Sequence, residues 1–323
     1  MDRHALLCSI ALAVAPLTLH AQGAPSFPSK PIRLILPYPP GGGSDTIARP
    51  LAQRLGDNLR QQVVVDNRGG AGGNIGMEMA AKSPPDGHTI VFALTAQLAV
   101  NPALYRKIPY DPMRDFEPIT LLGTGPYVLV VHPSLPVKSV KELIALARAR
   151  PGQITYASSG NGSGGHLANE LLNSMANVKM LHIPYKGGGP ALVDLLAGNV
   201  QVLFSTWVAG RPHIESGRIR ALAVSTAKRL SGVNLPTVAE AGIPGYDAGV
   251  WYAFLAPAGT PRDIVSKLNA EILRAAAHPE FKAVLERAAI EPIGSTPEEL
   301  ARFMKSELAK WARVVKDANL QVD

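Results

Sequence analysis

The sequence predicts an α/β protein built as two lobes, and three observations carry that prediction. Its 323 residues exceed what one hydrophobic core usually serves, so two domains of roughly 100–200 residues are expected. Short apolar runs alternate with helix-period segments over most of the chain, the grammar of strands joined by helices. Four glycine-rich turns, at 41–43, 69–73, 160–165 and 187–189, each follow a strand and open a helix. Hydrophobic residues make up 46% and charged residues 18%, a globular composition that excludes a disordered chain.

The first element is a leader. Met1 to His4 is short and polar, and Ala5 to Leu19 is apolar apart from Ser9, Pro16 and Thr18. Leu19-His20-Ala21 then offers small-residue cleavage chemistry, so residues 1–21 read as a secretory signal peptide and the mature chain starts near Gln22. The run is short for a membrane span. Cys8, the sole cysteine, lies inside the leader, which leaves the mature chain without disulfides, thiolate nucleophiles or Cys-bound metals. The net charge of +7 is spread without a basic block or interleaved aromatics, so nucleic-acid binding is unsupported.

Ile32 to Tyr38 predicts a strand, 39–43 a turn, and Ile47, Leu51 and Leu55 a helix behind the N-cap candidates Ser44 and Asp45. Pro50 inside that helix should kink it or delay its start. Strands follow at 62–65, 89–94, 119–122, 127–131, 154–157, 180–185 and 200–204, with helices at 75–82, 140–148, from His166, and from Pro190 to Leu196. The alternation implies mainly parallel sheets. Residues 236–249 are turn-rich, 251–255 is one more strand, and 261–277, 280–289 and 297–319 read as helices.

The chemistry gathers at the strand ends. In open α/β sheets ligands bind beyond the carboxyl ends of strands, where helix N-termini present free N–H groups. Ser44, Thr95, Ser158, Ser159 and Ser163 add hydroxyls there. Together these form anion-binding elements with almost no fixed charge, although any single glycine turn is equally a simple tight turn. Gly160, Gly162 and Gly165 match G-x-G-x-x-G, but the next strand ends Pro184-Tyr185-Lys186 without the acid that a dinucleotide ribose needs. No G-x-S-x-G surrounds Ser159 or Ser163, so a secreted serine hydrolase is a weak alternative. His166 and Glu170 share a helix face but lack a third metal ligand. Asp45 reads first as an N-cap and second as a group that orders the 41–43 loop or bonds a ligand donor.

The motifs Tyr38-Pro-Pro-Gly-Gly-Gly-Ser-Asp45, Val65-Asp-Asn-Arg-Gly-Gly-Ala-Gly-Gly-Asn-Ile-Gly76, Tyr156-Ala-Ser-Ser-Gly-Asn-Gly-Ser163 with His166-Leu167, and Pro184-Tyr-Lys-Gly-Gly-Gly-Pro190 occur in that order. Pro212-His213-Ile214 with Gly217, Leu235-Pro-Thr-Val-Ala-Glu240 and Ala256-Pro-Ala-Gly-Thr-Pro261 follow. With these the sequence resembles the extracytoplasmic solute receptors of tripartite tricarboxylate transporters, the Bug or TctC-like proteins. The resemblance implies a type II periplasmic-binding-protein (Venus flytrap) fold with a cleft between lobes, here 22–124 plus 230–323 and 125–229.

It also implies a monomer in the periplasm, without enzymatic activity, cofactor or metal. Such a receptor takes a small organic acid (a di- or tricarboxylate or an aromatic carboxylate) and hands it to membrane transporter subunits, or reports it to a signalling partner. The implied ligand-binding residues are Tyr38, Gly42, Gly43, Ser44, Asp45, Thr95, Gln97, Ser158, Ser159, Gly160, Asn161, Ser163, His166, Tyr185 and Ser205. Ser205 stands where many relatives carry an acid, which leans away from amino-acid ligands.

Overall fold

A computed structural model describes residues 27–230, 232–317 and 320–321. The expected signal peptide lies outside the described residues. No helix among them is long and apolar enough to cross a membrane.

The first sheet contains β1 (Ile32–Leu36), β2 (Val63–Asn67), β3 (Thr89–Leu94), β4 (Phe116–Gly125), β10 (Val250–Pro257) and β11 (Glu291–Pro292), in the order β11-β4-β10-β3-β1-β2. The second contains β5 (Tyr127–Val131), β6 (Thr155–Ser158), β7 (Leu181–Pro184), β8 (Val202–Thr206) and β9 (Arg220–Val224), in the order β7-β6-β8-β5-β9. Helices α1 (Gly43–Leu59), α2 (Asn74–Ala81), α3 (Asn101–Leu104), α8 (Arg262–Ala276), α9 (Pro279–Arg287) and α10 (Pro297–Asp317) accompany the first sheet in sequence. Helices α4 (Val140–Ala149), α5 (Gly164–Ala176), α6 (Gly188–Leu196) and α7 (Trp207–Glu215) accompany the second.

The expectation of mainly parallel sheets needs correcting. β2-β1-β3 and β7-β6-β8 are parallel, but β10 runs antiparallel to β3 and β4, and β5 runs antiparallel to β8 and β9. A parallel neighbour needs a crossover of a dozen or more residues, usually a helix. β4 instead passes through Pro126 straight into β5, and β10 returns from the second sheet, so both arrive against the local strand direction.

Burial explains why these runs become strands. Every residue of β3, β5 and β10 is buried, as a strand covered on both faces requires. On β5 the period of two is explicit: Leu129 and Val131 join the large core with Leu167 and Leu172. Val128 and Val130 join a second core with Ala191 and Leu195. Pro50 does not delay α1, which starts at Gly43 and runs through it.

Besides the two-residue β11, three larger pieces escape the sequence reading. Residues 96–104 form a π-helical turn (Ala96–Val100) leading into α3. The π-helical turn is buried on all sides, so it carries no amphipathic period. α7 contains Gly210 and Pro212, both helix-disfavouring. β9 is Arg-Ala-Leu-Ala-Val, poor in β-formers and at a sheet edge.

The two crossings between sheets are stitched together. Tyr127 N–H donates to Ser225 Oγ (2.9 Å), Ser225 N–H to Tyr127 O (2.8 Å) and Ala248 N–H to Ser225 O (2.8 Å). The returning segment keeps to the second sheet for most of its length. Val238 N–H donates to Val224 O (2.9 Å), and the buried Tyr246 hydroxyl donates to Ala168 O (2.7 Å).

Candidate functional site

The strand ends of both sheets meet across a cleft. β1 runs into the Pro37–Gly42 loop, which delivers α1. Gly41 has φ +83°, a left-handed conformation that glycine adopts without strain. The N-cap of α1 is Gly42, not Ser44 or Asp45, and no side chain caps it. Asp45 instead holds the loop from inside the first turn. Its carboxylate accepts from Gly41 N–H (3.3 Å), Arg49 Nε (2.9 Å) and Asn67 Nδ2 (3.0 Å), and Asn67 Nδ2 also donates to Tyr38 O (3.0 Å). Burial pushes the Asp45 carboxyl up, but these hydrogen bonds outweigh it and hold the group below the usual carboxylate value.

A cavity of about 240 Å3 lies between this loop and the second sheet. Four helices open on it: α1 through Gly42, Gly43 and Ser44, α5 through Gly165, α6 through Gly188 and Gly189, and α7 through Thr206. The N-caps of α1, α6 and α7, which are Gly42, Gly187 and Thr206, make no side-chain cap, whereas Ser163 caps α5. First-turn N–H groups have no partner inside a helix, so three uncapped termini aim orphan donors and partial positive charge at one space.

Hydroxyls join them. Ser44, Ser159, Tyr127 and Thr206 line the cavity, and their oxygens bond nothing among the described residues. Ser44 is 6% exposed and Tyr127 7%. These hydroxyls are open to the cavity and free to donate into it. Tyr38 accepts from Gln97 Nε2 (2.8 Å), and burial raises it to about 12, so its own proton stays available to donate. No Asp, Glu, Lys or Arg lines the cavity; Leu94, Leu192, Phe204 and Ala209 supply its apolar wall.

A second chamber of about 350 Å3 shares Tyr38, Pro39 and Ser159 with the first. Gly70 to Gly73, Tyr105, Asn161 and Lys186 line it. The sheets' loops touch here: Tyr105 donates to Asn161 O (2.6 Å). They touch again at Gly43, where a Cβ would overlap Thr206 Oγ1, and at Gly187, which lies against Pro39.

The structure therefore divides the fifteen implied residues. Tyr38, Gly42, Gly43, Ser44, Ser159 and Ser205 line the first chamber, and Gly160, Asn161 and Tyr185 the second, although the Tyr185 hydroxyl is turned to Asp194 (2.6 Å). Asp45, Thr95, Gln97, Ser158, Ser163 and His166 stand behind the walls. Thr95 Oγ1 accepts from Trp251 N–H (2.9 Å), and Gln97 clamps Tyr38, Gly72 O (2.7 Å) and Leu94 N–H (3.2 Å). Ser163 caps α5, accepting from His166 N–H (3.4 Å). The cavity residues that the sequence reading did not single out for binding include Tyr127, Thr206 and His213, whereas Gly188 and Gly189 fall in the 187–189 turn that it marked. For Thr206 the signal was a strand end followed by a helix, hidden because no glycine marks the turn.

Under the 158–163 loop lies a ring stack. His166 and His182 are 4.0 Å apart between centroids, and Tyr156 lies 4.8 Å from His182. Burial drives His166 down to about 3, aided by His182, and His182 down to about 4, so both rings are neutral at neutral pH. Gly162 N–H donates to His166 Nδ1 (3.1 Å), which ties the cleft loop to the stack. Ser158 Oγ sits 2.7 Å from His182 Nε2, a nucleophile–base pair in outline. Ser158 is fully buried, however, and its oxygen also bonds Gly160 N–H (3.2 Å) and Gly160 O (3.0 Å), so it cannot reach a substrate. Glu170 bonds the Tyr156 hydroxyl, not a shared point with His166. Among the described residues no cluster of three or more His, Cys, Asp or Glu could hold a metal.

Comparison with known proteins agrees with this geometry. Residues 47–320 match the family described as "Tripartite tricarboxylate transporter family receptor". Protein BugT of Bordetella pertussis is 40% identical over 100% of both chains. The solved structure of Rpa4515 from R. palustris with adipate is 40% identical, with a TM-score of 0.88 over 91% of this chain and 99% of that one. MatC (Rpa3494) from Rhodopseudomonas palustris with bound malate is 31% identical, with a TM-score of 0.85 over 90% of this chain and 100% of that one. The chain belongs to the tripartite tricarboxylate transporter receptor family, whose members are periplasmic solute-binding receptors and not enzymes.

Proposed function

We propose that this protein captures a small organic acid between two closing lobes and delivers it to the membrane subunits of a tripartite transporter. One observation carries the reading: three uncapped helix N-termini and four unpartnered hydroxyls converge on one cavity that contains no fixed countercharge. Such a site takes a carboxylate through main-chain N–H groups, much as helix N-termini take phosphate. The apolar wall suits a short carbon skeleton. Relatives solved with adipate and malate favour a dicarboxylate over a tricarboxylate or aromatic acid.

In place of the lobes expected from the sequence, 22–124 plus 230–323 and 125–229, we take the return crossing to fall near 249, because Val238 N–H bonds Val224 O and Tyr246 bonds Ala168 O on the second sheet's side. The ligand binds the shut form better because only there do α1 and the second sheet's helices surround it, and that difference in affinity drives closure. Residues 1–21 act as the export signal, cleaved after Ala21. The protein works as a monomer.

Titration calorimetry on the chain from Gln22, refolded to remove carried-over ligand, tests the reading. Adipate, malate and related acids are expected to bind, and their fully esterified forms are not. Equal binding of acid and ester, or no binding by any acid, would sink it.

A further inference from the structure

The first chamber has a second pole. Thr206, Ala209 and His213 form one row along α7, and all three line the cavity. Seven residues at about 1.5 Å each put His213 roughly 10 Å along the axis from Thr206. Its side chain leans back toward the helix N-terminus, as helical side chains do. The imidazole is half-buried and bonds nothing among the described residues. Leu192, Phe204 and Ala209 make the wall between the two poles apolar, and no acid lines the chamber to compete for the ring.

We infer that His213 receives a second carboxylate, so that the ligand is a linear dicarboxylate held by helix N-termini at one end and by His213 at the other. This rests on the reading that the N-termini hold a carboxylate, and it names what lies at the far end. A ligand ammonium would find no acidic partner in the chamber. A purely apolar end would leave the half-buried imidazole without a ligand partner.

Calorimetry with linear diacids from malonate to suberate, each beside the monoacid of the same chain length, tests it. The wild type should prefer the best diacid over its matched monoacid by about tenfold or more, the worth of one charge-assisted hydrogen bond. His213→Leu should lose that preference, and a melting curve on the same sample shows that the variant is folded. His213→Gln, which keeps a donor, should retain part of the preference. A wild type that binds diacid and monoacid equally, or a His213→Leu variant that keeps the preference, overturns the role of His213 alone. Failure of the wild type to bind either acid overturns the carboxylate reading and this inference with it.

Discussion

Gly43→Val is expected to weaken ligand binding by about 10- to 100-fold while leaving the protein folded. A Cβ at position 43 would overlap Thr206 Oγ1 and sit 3.1 Å from both Thr206 Cβ and Val208 Cγ1. Those atoms belong to the opposite lobe. Gly43 is the first residue of α1 and has no left-handed φ, so its own backbone accepts a side chain. The overlap therefore exists only when the lobes are shut. Overpacking of this kind costs about 1–3 kcal/mol, and that cost falls on the closed state that the ligand needs. Calorimetry and a melting curve on the same sample separate the two effects. Adding Thr206→Ala removes the overlapping oxygen and should restore part of the affinity relative to a Thr206→Ala single variant, but not all, because the Cβ remains. Unchanged affinity in Gly43→Val would mean that the lobes do not close as described.

Asp45→Ala should act differently, lowering both stability and affinity. The carboxylate is the shared acceptor for Gly41, Arg49 and Asn67, and its side chain is about one-tenth exposed. Removing it leaves the Gly41 N–H and one Asn67 bond unmet, a loss of about 1–3 kcal/mol. The 39–43 loop then loses the anchor that fixes the α1 N-terminus, and affinity should fall about tenfold through lost preorganisation.

The sign of the pH effect follows from the carboxyl being held below its ordinary value of 3.8. Its stabilisation is complete above that value and disappears as pH falls through the lowered one. Melting temperatures of wild type and variant should therefore differ by a constant amount from pH 6 to pH 8, in on the order of a few degrees, and converge only in strong acid. Convergence near neutral pH would contradict the assignment.

These two residues show what the sequence makes legible. Gly43 and Asp45 sit in a strand–glycine–helix signature, and such signatures located both halves of the cleft. The sequence did not say which polar side chains face the ligand space. Thr95, Ser158 and Ser163 carry hydroxyls as Ser44 and Ser159 do, and Gln97 is a polar neighbour of the same strand ends, yet their polar atoms turn inward to bond the backbone. That choice is made by tertiary packing, since each buried N–H or C=O nearby must find a partner. The α7 terminus was hidden for a local reason: Thr206-Trp207 makes its turn without glycine. The antiparallel return of β10 was hidden for a global one, because strand direction depends on connectivity and not on periodicity.

The account stands most directly on where the carboxylate goes. The crystal structure of the protein with its tightest-binding acid settles that. A carboxylate oxygen is predicted within about 3 Å of first-turn N–H groups from α1 and from α6 or α7, with Ser44, Thr206 or Tyr127 hydroxyls donating alongside. An acid seated instead in the outer chamber against Lys186, with the three helix N-termini still unmet, would contradict it.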